Sequence, residues 1–514
     1  MSIRRSLLIA LILVVSFSAY FITLAEPVRA ASTTIPCEGP STSLNLAILN
    51  ANTNPGPDTL ELDGACHYYW GTALVVTSQI TINGHGASIA HYMDYKPQDH
   101  VMVVQAGGNL TLNQVTITRG SVGDAEVMPG VVDPRNIGGG ILNYGILTVN
   151  DATFSENTAW VWNVDRGAGG AIFNYGTLNV HHSTFSNNGA HDYGDAIANA
   201  GGTVTITDST FEDNYNTHGS VIYIIGYGGA IYSDGGTVSV DGSTFESNHT
   251  SQGGAVTNWS GTVNVTKRLF KNNIAGHTAD CCGGGAILNR DQMTVSTSTF
   301  GGNHSEFEAG AIFNQGVLSV SRSTFANNSS SNSGGGIYAW GEVTLGNDTF
   351  TSNSGISGSA VVMAGNGHLM MVNNTIAGNT TPGGSGGAIH LGQGQITLKN
   401  TIIANNTPDN CAGYALTDGG GNLTWPAEGN DCIYSGFQVG DSWLAALADN
   451  GGPNQTLWPQ IGSAAVNHGD DAVCAAVPVG SMDQRGVSRP AGAHCDIGAV
   501  EVDKYKLFIS FIRR

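Results

Sequence analysis

The sequence predicts an all-β fold, a single-stranded right-handed parallel β-helix in which a solenoid of about ten to twelve coils carries three short strands per coil. Three observations predict it. The stretch GGAIFNYGTLNVHHSTFSNN (169–188) returns as GGAIYSDGGTVSVDGSTFESN (228–248) and as GAIFNQGVLSVSRSTFANN (310–328). The 514 residues hold 72 glycines and only 11% charged side chains, a composition that suits many tight turns and disfavours helices. Each repeat also breaks into three strand-like pieces, such as Ala171–Asn174, Thr177–Val180 and Ser183–Ser186. These pieces are too short for helices and too many for a hairpin.

The repeat can be counted on two apolar anchors. The first follows a pair of small residues: Ile141, Ile172, Ile197, Ile231, Val256, Ile287, Ile312, Ile337, Val361 and Ile389. The second opens Phe-x-x-Asn: Phe154, Phe185, Phe211, Phe245, Phe270, Phe300, Phe325, Phe350, Ile376 and Ile402. First to second anchor is always 13 to 15 residues, whereas second to next first anchor runs from 11 to 20. Length variation therefore sits in one corner of the coil. Stacking at roughly 4.8 Å per coil predicts a rod on the order of 55 Å.

The asparagines take structural places. Asn143, Asn174, Asn199, Asn258, Asn289 and Asn314 lie two residues after their anchors, on the inward face, and form one expected ladder. A second ladder is expected at Asn157, Asn188, Asn214, Asn248, Asn273, Asn303, Asn328, Asn353, Asn379 and Asn405. Helix is expected only at Ser41–Asn52 and Trp443–Asp449.

Residues 1–30 read as a secretory signal, with Arg4 and Arg5, an apolar stretch from Leu7 to Leu24, and Val28-Arg29-Ala30 as a cleavage site. The apolar run is also long enough to stay as an uncleaved anchor. No second such run follows, so the mature chain is expected to have no transmembrane helix. Beyond residue 30 the chain keeps 16 basic and 38 acidic side chains, a formal charge of −22. Such a surface repels nucleic acid and anionic membranes, leaving a glycan or a surface protein as the expected partner of a monomer. No cofactor and no metal is expected: Walker A, HExxH, Gly-x-Ser-x-Gly and EF-hand spacings are missing. The eight cysteines suit an oxidising compartment. Proximity suggests Cys37 with Cys66, Cys411 with Cys432 and Cys474 with Cys495, leaving Cys281-Cys282, although eight cysteines allow 105 connectivities.

The GGAIFN/FSNN and GGAIHL/IANN pairs resemble the repeats of polymorphic outer-membrane-type adhesins, and bacterial right-handed β-helix proteins with a pectate-lyase-like fold. The resemblance covers roughly residues 70–410, taken as the β-helix, with 31–69 as a capping segment. STSLNLAILNANTNPGPDTLEL (41–62) looks like the cap that begins such proteins, though Asn45-Leu46 replace its usual Arg-Glu. Residues 411–503 are similar to a choice-of-anchor domain, through Asn450-Gly451-Gly452-Pro453, Asp483-Gln484-Arg485-Gly486 and Asp496-Ile497-Gly498-Ala499. Ser463-Ala464-Ala465-Val466-Asn467 departs from that family's Ser-Pro-Ala-Ile-Asp. A tail, 504–514, follows. The resemblance implies surface display and an adhesin-like binder.

In pectate-lyase-like enzymes the substrate lies on the outside of one sheet, so the resemblance implies that any catalytic set stands in the outward columns. Residues one before, one after and three after each first anchor are expected to face outward. Only Asp234 and Arg290, two coils and about 10 Å apart, offer charge there, with Asp195 and Asp291 from the turns. Those four residues are the catalytic set of the alternative reading, a polysaccharide lyase or glycoside hydrolase. Aromatics dominate instead: Phe173, Tyr232, Tyr338, Tyr144, Tyr175, Trp259 and Trp340, with Trp160 and Trp162 from a long corner. They form the expected ligand-binding surface of a non-catalytic protein.

Overall fold

A computed structural model of the chain describes residues 31–37, 42–54, 56–91, 99–123, 134–160, 167–216, 226–276, 283–383, 386–426, 432 and 437–502. Residues 1–30, expected as a secretory signal, the expected tail 504–514, Trp162 and Cys281-Cys282 lie outside the described residues. The described chain is a parallel β-helix solenoid. One sheet stacks fifteen third strands of successive coils, from His67–Trp70 to Gln438–Val439. At about 4.8 Å per step this rod is near 70 Å, longer than the sequence expectation, because coils continue past both ends of the counted repeat. Pairing reaches back to Ala31–Ile35, which lies parallel to Asp58–Leu62. The helix Thr42–Thr53 follows that first strand and buries Leu44 and Ile48 in the main core.

Strand identity follows from alternation. In Thr177–His181 the Leu178 and Val180 side chains are buried while Thr177, Asn179 and His181 are half-exposed, and Thr and Val suit such a surface. The register holds anchor to anchor: Ile141 pairs with Ile172, Ile172 with Ile197, and Ile312 with Ile337. The phenylalanines stack face to face, with centroids 4.5–4.9 Å apart from Phe154 to Phe350. Each is fully buried.

Both asparagine ladders form. Asn143 Nδ2 donates to Asn174 Oδ1 at 2.6 Å and Asn174 Nδ2 to Asn199 Oδ1 at 2.8 Å. In the second, Asn188 donates through both its backbone N–H and Nδ2 to Asn214 Oδ1, and Nδ2 also reaches Phe154 O at 3.0 Å. These are buried amides bonded from coil to coil, save at Asn258, whose Oδ1 lacks a partner where Ser233 interrupts the first ladder, so they tie coils together rather than face a ligand. The residue before each asparagine of this second ladder adopts positive φ, as at Asn187 (54°) and Asp213 (50°).

The last rung corrects the expected register. Asn379 bonds Asn406, and Ile376 pairs with Ile403, so Asn406 and Ile403 take the places expected for Asn405 and Ile402. The doubled Ile-Ile and Asn-Asn leave the choice open in sequence. Tertiary packing makes it, because Ile402 turns outward onto Ala465 and Ile497.

A third buried ladder runs through the turn between second and third strands. Backbone N–H groups of Ser183, Ser209, Ser298 and Ser323 donate to Ser209 Oγ, Ser243 Oγ, Ser323 Oγ and Asp348 Oδ1. Arg268 interrupts it. Its guanidinium is buried without a hydrogen bond, 3.9 Å from Asp241, and burial draws its pKa down to about 9. Arg268→Ser restores an acceptor for Ser243 and removes a desolvated charge. We expect it to raise stability by about 1–2 kcal/mol, read as a higher melting temperature.

The C-terminal segment does not add coils. Trp443–Asp449 is not helical: antiparallel bridges Leu444–Pro459 and Ala448–Thr456 fold it, and the short helix lies instead at Asp471–Ala475. Residues 441–502 lie along the third-strand sheet over coils 299–405. Thr324 Oγ1 donates to Gln455 O at 2.7 Å, Gln484 Nε2 to Ser323 O at 3.0 Å, and Ala499 N to Thr375 Oγ1 at 2.9 Å. Disulfides join Cys37–Cys66, Cys411–Cys432 and Cys474–Cys495.

Candidate functional site

The site is built where the first strand meets the variable corner. Residues Ile137, Ala168, Tyr193, Tyr227 and Gln252 pair in sequence as isolated parallel bridges, forming a short fourth column. Each precedes a glycine at positive φ between 60° and 72°, the conformation that turns the chain into the first strand. This column closes over the first strand, and two expectations about that strand's outward face change.

The alanines one before each anchor, such as Ala171 and Ala196, belong to the main core. They precede the strand, which begins at the anchor itself, so two-residue alternation does not reach them. Phe173 and Tyr232, one after the anchor, do leave the core but are covered by the corner, at 6% and 8% exposed. Phe173 packs in a satellite cluster with Ile137, Leu142 and Ala168. Both are therefore walls, and neither is an open platform.

Between the two columns a groove of about 310 Å³ remains, lined by Phe173, Tyr175, Tyr193, Ala198, Ala200, Tyr232, Asp234 and Trp259 among others. Tyr175 stacks on Tyr144 at 5.1 Å and is the most open of these rings. Tyr193 leans on Tyr232 at 4.7 Å, and Tyr227 meets Trp259 edge-on at 5.1 Å. Burial, with Asp234 nearby, pushes the Tyr232 hydroxyl well above its ordinary range, so it stays protonated.

Asp234 and Arg290 have separate partners. A register shift after Ser233 sets Asp234 opposite Ser260, whose Oγ donates to Asp234 Oδ1 at 2.8 Å, and leaves Trp259 as the extra residue of a bulge. Arg290 stacks on Trp259, 3.8 Å from its ring centre. Asp195 is buried, accepts from Ala190 N at 3.0 Å, and is held well above the usual carboxylate range by burial. Asp291 accepts from Gly261 N at 2.8 Å. Of the four acid–base candidates only Asp234 lines the groove, whereas two-carboxylate hydrolysis places a second acid about 5–9.5 Å away.

Tyr338 and Trp340 lie apart from this groove, around Phe313, beside an open depression with Ala364, Gly367 and Gln393. Trp160 is half-buried, and its backbone N–H donates to Val122 O at 2.8 Å. Tyr193 was not among the expected binding residues. Its signal was present: like Tyr227, it stands immediately before the glycine that opens a repeat.

Against known families, residues 151–175 and 322–339 match the Chlamydia polymorphic membrane protein repeat. The chain carries repeats of that type. Among solved structures it is similar to tailspike protein 3 of bacteriophage CBA120, at 11% identity and a TM-score of 0.38, over 79% of this chain and 59% of the tailspike. The chain thus spans less than two thirds of that neighbour. No curated protein sequence matches. Among the described residues no helix is long and apolar enough to cross a membrane, and no cluster of three metal-ligating side chains occurs.

Proposed function

We propose that the chain is a secreted or surface-displayed β-helix protein that binds a glycan in the aromatic groove between Tyr175 and Trp259. The observation that carries this reading is a preformed concavity whose walls are aromatic and whose single charge is Asp234. Rings stack on the C–H faces of sugars, and a carboxylate accepts from their hydroxyls. The polymorphic-membrane-protein repeats support display outside the cell, and the C-terminal segment's resemblance to choice-of-anchor domains supports attachment there.

A glycan array probed with residues 31–514 tests the reading. Tyr175→Ala with Trp259→Ala is expected to weaken any glycan found by roughly ten- to hundredfold, at about 0.5–1.5 kcal/mol of stacking per ring beyond area burial. A melting curve close to the parent's would show that the rod survives. Retained affinity in the double variant would remove the groove as the binding site. Release of reducing ends or unsaturated uronates by the parent protein would overturn the non-catalytic reading.

A further inference from the structure

The groove has a specific origin, a missing rung. Along the outer face of the first strands, Phe173, Ala198 and Tyr232 are register partners on successive coils. In the next column Tyr175 is followed one coil on by Ala200, which pairs with Asp234. Tyr144 and Tyr175 show what an unbroken column looks like, two rings 5.1 Å apart and 6° from parallel. At Ala198 and Ala200 that ring is replaced by a methyl. Tyr175 and Asp234 therefore stand two coil steps apart, about 9.6 Å, with Ala200 on the coil between them. One ring in contact on both faces needs about 3.5–4.0 Å to each side, about 7–8 Å in all, which fits within two coil steps, whereas two stacked rings do not.

The chemistry of the slot is one-sided. Its floor is spent: Asn199 Oδ1 accepts from Asn174, and Nδ2 donates to Gly202 O and Gly235 O. Asp234 Oδ1 holds the Ser260 hydroxyl, and among the described residues Oδ2 has no partner. A ligand ring is thus offered an aromatic face by Tyr175 and a carboxylate oxygen by Asp234. The Arg290 guanidinium packs on Trp259 but does not line the groove, so the ring must bring donors to Asp234 and must not bring an anion.

We infer that the slot takes a single pyranose ring, neutral or amino-bearing, with one face on Tyr175 and a hydroxyl or ammonium donating to Asp234, and that it rejects uronates. This rests on the reading of the groove as a glycan site, and specifies which sugars enter it.

The test uses the methyl glycosides of glucose, galactose, mannose, glucosamine and glucuronic acid, titrated onto residues 31–514 and followed by tryptophan fluorescence and saturation-transfer NMR. At least one neutral glycoside or the glucosaminide is expected to bind, with the glucuronide at least tenfold weaker. Asp234→Asn should narrow that gap to within about threefold. Ala200→Tyr supplies the missing ring and should lower affinity at least tenfold with no fall in melting temperature. Ala200→Leu, a smaller filler, should lie between. Equal binding of glucuronide, or parent-like affinity in both Ala200 variants, overturns the inference. If oligosaccharides bind the parent and Ala200→Tyr alike, the groove remains a glycan site and the one-ring slot is wrong. If neither monosaccharide nor oligosaccharide binds, both readings fall. Binding of choline alone among the small probes would make the slot a cation cage and overturn it.

Discussion

Phe325→Ala is expected to cost about 3–5 kcal/mol, the range for emptying a fully buried aromatic site. Phe325 lies between Phe300 and Phe350 at 4.6 and 4.5 Å, with rings 2° and 4° from parallel. Its removal separates two rings that the backbone holds two coil steps apart, and backbone pairing on both sides prevents collapse. Hydrogen exchange across 300–350 should report the loss first, since each coil contacts only its neighbours. Melting identical to the parent's would mean that Phe325 is not a buried support of its coil.

Arg489→Ala is the second large effect, also about 3–5 kcal/mol, because it strands a buried charge. Arg489 and Glu501 are paired at 3.1 Å with both side chains fully buried. The same guanidinium donates to Asp496 O, Gly498 O and Asn347 Oδ1, so it joins the C-terminal segment to the rod. Glu501 in turn accepts from Ala491 N and Asp496 N. The loss should be local: limited proteolysis is expected to release residues 441–502 while the coils stay folded. A variant with parent-like protease resistance would show that the ion pair does not hold the segment down.

Most of the fold was legible because the repeat forces it. Anchors spaced by 13 to 15 residues can only meet if successive units stack, and both asparagine ladders follow from that stacking. What failed was local. Ile402 against Ile403 was undecidable because both neighbours are isoleucine, and only the distant Ala465 and Ile497 settle which one turns out. Ala171 was misplaced because alternation was extended one residue beyond its strand. Tyr175, Tyr232 and Trp259 were found as aromatics near the variable corner, but their confinement in one groove depends on Tyr193 and on two alanines. An absent side chain leaves a poor signal in sequence, since alanine reads as filler until its neighbours' rings are placed in space.

The folded-back C-terminal segment divides the rod mechanically. An array of coils coupled only to nearest neighbours behaves as a one-dimensional chain, in which a break can open anywhere and spread from the ends. Contacts from Thr299, Thr324, Asn347 and Thr375 to residues 124 to 155 positions later in sequence turn coils 299–405 into a block that opens together or not at all. The coils around the groove, from Ile137 to Trp259, have no such brace among these contacts. Under tension or heat the molecule should therefore behave as a stiff stem carrying a more compliant arm. Its concavity sits on the arm, where small shifts between coils change the width of a gap only one ring thick.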